Sequence, residues 1–364
     1  MVQTVTSKIV NMNTVLTVAP TPSQLQQSGA LVSVGGTTLT AGNYQFCGNL
    51  AAVTALLSSA GNFAELTNMA TDFFAQGSAV GLYILELGAV VGAPAQITAL
   101  QTWITANPGE FYAYLVPADW DASGADLVAI ASTYASPTGR TYFFVTTTAA
   151  TISVYANQKS IFATIPSTLA PSTEFTAAMA FYQWLVNNPG AANPLAPMAY
   201  RYAYGVTPWI QANNQATITN ILTAFGNLIL TGAEGGISED CLFKGTLMSG
   251  SQASWWYGID WFQIQVKQAL AAAIINGSNS NPPLLYDQNG INLIQKIAQN
   301  IANSAVTFGC ALSATVTAIP FGTYTTQNPN DYNAGVYNGL QATVVGQNGF
   351  LTITFNLDAV QFVV

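Results

Sequence analysis

The residues of this chain best equipped for chemistry are acids, because it contains no histidine at all. That absence removes His-based triads, His general bases and His metal ligands together. One run, Asp119-Trp120-Asp121-Ala122-Ser123-Gly124, opens like a calcium loop, with oxygen ligands at alternate positions and Gly at the sixth. The twelfth position is Ile130, where a bidentate Glu is needed, so the run reads instead as a turn whose Asp and Ser side chains cap a helix over residues 126–134. Glu234, Glu239 and Asp240 form the densest acidic cluster, with Lys244 four residues after Asp240. A catalytic carboxylate pair is one reading of it; a solvated loop or an intersubunit salt bridge is the other. Trp255, Trp256 and Trp261 could stack on sugars or bases, but no cationic groove surrounds them, which favours packing. Neither G-x-x-x-x-G-K-[ST] nor G-x-G-x-x-G occurs, so nothing supports a nucleotide site. The expectation is a protein that is not an enzyme, with no cofactor and no metal.

The elements that position these groups read as two regions. Between about residues 29 and 166, strands at 31–34, 44–46, 82–87, 111–116 and 141–145 alternate with helices at 51–57, 63–74, 94–106 and 126–134, the cadence of a sheet flanked by helices. A second region has helices at 175–186 and 216–230. There follows a helical pair with Ile259, Phe262, Val266, Leu270 and Ile274 on one member and Ile291, Ile294, Ile297 and Ile301 on the other. Strands are expected at 311–319, 342–345 and 350–357. The fold class is α+β or α/β.

Composition limits the setting. Apolar residues make up 50% of the 364 positions, while charged residues are only 6%, against roughly 25% in ordinary soluble proteins. A monomer with so little charge is colloidally poor, whereas a subunit that hides its surface in an assembly is not. The net charge of −8 and the scattered cations argue against nucleic acid and against an anionic membrane. No 18-residue apolar run and no signal layout is visible. Cys47, Cys241 and Cys310 are too few and too far apart for a disulfide framework, which fits a protein made in a reducing compartment.

Both ends of the chain read as strands. Val10, Met12, Leu16 and Val18 share a parity, as do Leu351, Ile353, Phe355 and Leu357 against Thr352, Thr354, Asn356 and Asp358. A bare strand edge recruits another chain; the alternative is that these strands pair within their own subunit.

The stretch Trp255-Trp256-Tyr257-Gly258-Ile259-Asp260-Trp261 leading into a long helix, the Asn289–Ile294 helix start after it, and the closing strands resemble the C-terminal core of contractile tail sheath proteins of myophages and related contractile injection systems. The short strand-forming arm before an α/β region carrying Asp72-Phe73-Phe74 is similar to the small sheath-like phage families. The resemblance follows the order of elements along most of the chain and is sharpest over residues 237–364. It implies an N-terminal arm and linker at 1–25, a peripheral α/β domain at 26–170, a sheath core domain at 171–345 and a C-terminal arm at 346–364. Val10, Met12, Leu16 and Val18 match the first arm, and Leu351, Ile353, Phe355 and Leu357 the second, each adding a strand to a neighbour's core sheet. Implied partners are further copies of itself in a helical polymer, a tail tube protein, and baseplate and tail terminator proteins. The implied location is the virion tail, assembled in the host bacterial cytoplasm, and the implied role is contraction that drives the tube through an envelope. Two other classes stay open: another virion or surface-layer assembly protein (a tail tube, capsid or fibre component), and a carbohydrate-active enzyme or lectin built on the Trp residues and the acidic loop.

Overall fold

A computed structural model describes residues 25–232 and 238–352. Its centre is a six-stranded sheet made from β1 (Gly29–Ser33), β2 (Tyr44–Cys47), β3 (Leu82–Glu86), β4 (Ala113–Leu115), β5 (Tyr142–Thr146) and β6 (Ile161–Thr164), in the order β2-β3-β1-β4-β5-β6. All neighbours are parallel except β2, which runs antiparallel to β3 at one edge. Apart from the exposed edge strand β2, these strands are short and almost wholly apolar because helices cover both faces. Alternation sends Leu31, Ile84, Leu115 and Phe144 to one face and Val32, Leu85, Val116 and Val145 to the other. The first face is covered by α1 (Leu50–Thr54), α2 (Phe63–Ala75) and the fully buried α5 (Thr176–Leu185). The second is covered by α3 (Ala93–Ala106), α4 (Gly124–Thr133) and α6 (Gln215–Thr223). Helix α5 thus shares a core with strands earlier than residue 170.

A strand not expected from the sequence, β7 (Leu228–Thr231), pairs antiparallel with β8 (Asp240–Phe243). The helix expected over 216–230 stops at Thr223, because Phe225 takes a positive φ of 64° and Asn227 is pinned. The buried Asn227 side chain donates to the Ala163 and Thr246 carbonyls and accepts from the Thr246 amide. Hydrophobic periodicity alone cannot separate a Leu-Ile-Leu strand from one more helical turn.

The 26-residue α7 (Ala253–Ser278) begins in the first core, with Ala253 and Tyr257, and continues into a separate one with Trp261 and Phe262. That second core is completed by α8 (Gln288–Thr307) and the antiparallel hairpin of β9 (Ala311–Ala318) and β10 (Leu340–Gly346). Short helices α9 (Phe321–Gln327) and α10 (Pro329–Asn333) lie between the two strands. The isoleucine face expected on α8 is corrected: its buried seam is Ile291, Ala298, Ala302 and Ala305, while Ile294, Ile297 and Ile301 are half-buried flanks. Small residues let backbones approach. Gly258 does the same for α7, since a Cβ there would lie 2.3 Å from the Cys310 carbonyl oxygen. Among the described residues, no helix is long and apolar enough to cross a membrane.

Candidate assembly interface

Two of the acids suited to chemistry, Asp121 and Asp240, are taken up by structural hydrogen bonds, while Glu239 is exposed. Asp121 accepts from the Thr151 hydroxyl at 2.8 Å and the Tyr155 hydroxyl at 2.7 Å, tying down the 3₁₀ turn Ile152–Tyr155. It does not cap the following helix, which starts at Gly124, and Ser123 makes no capping bond either. Both capping expectations are therefore corrected; the carboxylate found two longer-range donors instead. Asp240 accepts from Thr231 at 2.7 Å across the β7–β8 pair, and Glu234 lies outside the described residues. Trp261 is buried against Phe308, and Trp255 and Trp256 pack edge to face on each other at 4.8 Å. Among the described residues, no three acids or cysteines are grouped to hold a metal ion.

Two buried carboxylates were not anticipated. Glu86, at the end of β3, accepts from the Ser33 and Thr37 hydroxyls and from the Gly35, Thr37 and Gly88 amides, all within 3.1 Å. The carboxyl ends of parallel strands are where open α/β sheets usually hold ligands. Here the loop after β1 closes around the protein's own carboxylate, whose hydrogen bonds outweigh its burial and lower its pKa. Asp260, on α7, is fully buried and accepts from the hydroxyls of Ser136 (2.5 Å), Tyr142 (2.6 Å) and Tyr112 (3.0 Å). Burial pushes its pKa up to about 6 despite these donors and the charge of Arg140. It joins α7 to β4 and β5 at the point where the helix passes from one core to the other. The only sequence signal was a lone acid within an aromatic, apolar run.

The residues expected to make the arms fall mostly outside the described part: Val10, Met12, Leu16, Val18, Ile353, Phe355 and Leu357 all do. Leu351 lies in a bend rather than a strand, and its carbonyl accepts from the Tyr200 hydroxyl.

What is described is a surface able to take a strand. Ile319 donates to the Gly339 carbonyl, which fixes the bonded pairs of the β9–β10 ladder at odd-numbered positions. The amides and carbonyls of even-numbered residues therefore face away from the partner strand. On β9 these outward groups are stoppered by α8: the Val316 amide donates to Gln299 Oε1 at 2.8 Å, and Gln295 and Gln299 amides cover the Val316 and Ala314 carbonyls. On β10 the outward groups belong to Leu340, Ala342 and Val344, and among the described residues none of them has a hydrogen-bond partner across that edge. Behind the hairpin Ala314, Val316, Leu340 and Val344 pack on the second core. In front, Ser313, Thr315, Thr317, Gln341 and Thr343 are exposed. At the far end of β10 the indole of Trp255 lies so close to Gly346 that no Cβ fits there. A two-stranded sheet is marginal by itself; this one is backed by two helices and has one open edge.

Comparison with known proteins follows this geometry. No family model and no curated protein sequence matches the chain. Solved structures do. A chain of the anti-feeding prophage baseplate, 6-fold symmetrised, aligns with a TM-score of 0.65 at 13% identity over 92% of this chain and 94% of that one. A chain of the anti-feeding prophage helical sheath in the contracted state aligns with a TM-score of 0.60 at 13% identity over 98% and 100%. A sheath tail protein from Listeria innocua aligns with a TM-score of 0.55 at 11% identity over 88% and 94%. The protein has the mixed α/β fold of sheath proteins from contractile injection systems.

Proposed function

We propose that this chain is the structural subunit of a contractile phage tail sheath, polymerising around a tail tube and shortening to drive the tube through a host envelope. The observation that carries the reading is the end-to-end likeness to a helical sheath subunit, covering 98% of this chain and all of that one. The open edge of β10 supports it, because strand addition there supplies main-chain hydrogen bonds to a neighbour. The arms are residues 1–25 and 346–364, with Val10, Met12, Leu16 and Val18, and Leu351, Ile353, Phe355 and Leu357, as the interdigitating positions. The 171–345 core, which includes the helix pair and hairpin, faces the tube from about residue 175 onward, and the 26–170 region faces outward, chiefly over residues 29–166. Baseplate, terminator and tube proteins are the partners, and the subunits assemble in the host cytoplasm. With no nucleotide consumed, the work comes from rearranged subunit contacts, so the extended state is the higher in free energy and is held by a barrier.

Electron microscopy of the purified protein tests this. Wide-lumen helical tubes support it; flat lattices or discrete particles point to another assembly protein. Removing residues 1–18 or 350–364 should leave a monomer with a cooperative melt and no tubes. Ordered tubes from either truncation would sink the woven-arm mechanism.

A further inference from the structure

Beside the place where the described chain ends lies an apolar groove with a volume of about 520 Å³. Ile218 and Leu222 of α6, Leu230 and Phe243 of the β7–β8 pair, and the rings of Tyr200 and Tyr202 line it. Tyr202 is 54% exposed and Tyr200 45%, unusual for rings that border an apolar cleft. The chain is delivered to its rim by three hydrogen bonds. The Gln252 amide donates to the Gly349 carbonyl at 2.8 Å and accepts from the Gly349 amide at 2.7 Å. The Tyr200 hydroxyl, from the groove wall itself, then donates to the Leu351 carbonyl.

Twelve residues, 353–364, follow within the sequence. Fully extended they reach about 40 Å, and they carry Ile353, Phe355, Leu357, Val360 and Phe362 with a single charge, Asp358. Ile353, Phe355 and Leu357 share a parity opposite to Asp358, so an extended segment can turn three apolar side chains inward and the carboxylate to solvent.

We infer that in the free subunit residues 353–364 occupy the Tyr200/Tyr202 groove of their own chain. A segment tethered at the rim by a short linker sees an effective concentration on the order of millimolar, far above that of free subunits at micromolar concentration. The groove is thus filled in cis until a growing lattice presents a neighbour's β10 edge. Assembly then exchanges one site for the other. This rests on the sheath reading, which gives the segment its second destination.

The test uses the full chain with Gln215→Cys, an exposed groove position, and Val360→Cys in the segment, treated with a short bis-maleimide; the native cysteines are buried. At dilute concentration an intramolecular link should form with a yield independent of protein concentration. Adding Tyr202→Asp should lower that yield about tenfold, equivalent to about 1.4 kcal/mol. The linked chain should build no tubes. A link that forms only between chains, or that survives Tyr202→Asp undiminished, overturns the inference. The sheath reading fails separately, if the unlinked double variant and the unmodified protein both build no tubes while the cis link still forms.

Discussion

In the sheet body the strand ends are closed from within, whereas in the helix–hairpin unit one strand edge is left open. Glu86 gathers five donors from the loops around β1 and β3, and the strands of the large sheet other than the exposed edge strand β2 are covered on both faces. The hairpin has one backed face, one polar face and the outward groups of Leu340, Ala342 and Val344. Even there the two edges differ, since Gln295 and Gln299 stopper β9 and nothing comparable among the described residues stoppers β10. The contrast teaches where this chain invests in its own stability and where it leaves hydrogen bonds for something else.

The sharpest way to break that contrast is Ala342→Pro. The Ala342 amide faces away from β9, so its loss removes nothing from the ladder, and proline is tolerated on edge strands. Sedimentation and microscopy should show assembly abolished while the monomer's melting temperature moves by only a few degrees. Tubes forming normally would show that β10 is not the acceptor.

A change at the closed end should do the reverse. Glu86→Ala leaves buried amides and hydroxyls without an acceptor and should destabilise the subunit by roughly 3–5 kcal/mol in denaturant melts. Loss of less than about 1 kcal/mol would mean that water replaces the carboxylate freely.

The joint between the regions should respond to pH. Asp260, raised to about 6, and Asp72, raised to about 7 by burial beside α5, both lie above the ordinary aspartate range. The folded state therefore binds more protons than the unfolded state between those values, and stability falls as pH rises through the window. Melts at pH 5 should be more stable than at pH 7 by roughly 1–3 kcal/mol. Asp260→Asn should remove its part of that dependence; an unchanged pH profile would place the titration elsewhere.

The smallest effects test the packing of α8. Ala302→Leu overfills the alanine seam and should cost about 1–3 kcal/mol. Ile297→Ala, on a half-buried flank, should cost about 1 kcal/mol, below the range for a fully buried site. A larger loss at Ile297 than at Ala302 would reverse the assignment of the buried face.

Much of this was legible in the sequence, and the exceptions share a cause. Apolar runs such as Leu82–Glu86 and the Pro-opened α3 appear close to where local pattern puts them, because burial on both faces and a first-turn proline leave strong local marks. The Trp255–Trp261 stretch, the Asn289–Ile294 helix start and the order of elements carried the resemblance to sheath proteins, whose fold the structure has. Strand β7 was hidden inside an apparent helix, because the pinning of Asn227 by Ala163 and Thr246 lies 64 and 19 residues away. The seam of α8 was misread because isoleucines are more hydrophobic than alanines, while the closeness of β9 favours the smaller side chain. Glu86, Asp260 and Asp121 could be seen as acids but not as acceptors, since their donors come from loops and strands far along the chain. A strand was expected at 342–345, within β10; that its edge is open and that of β9 is closed depended on where two glutamines of a packed helix reach. Local periodicity is written in neighbouring residues, but the fate of a backbone hydrogen bond is decided only by what the rest of the chain brings beside it.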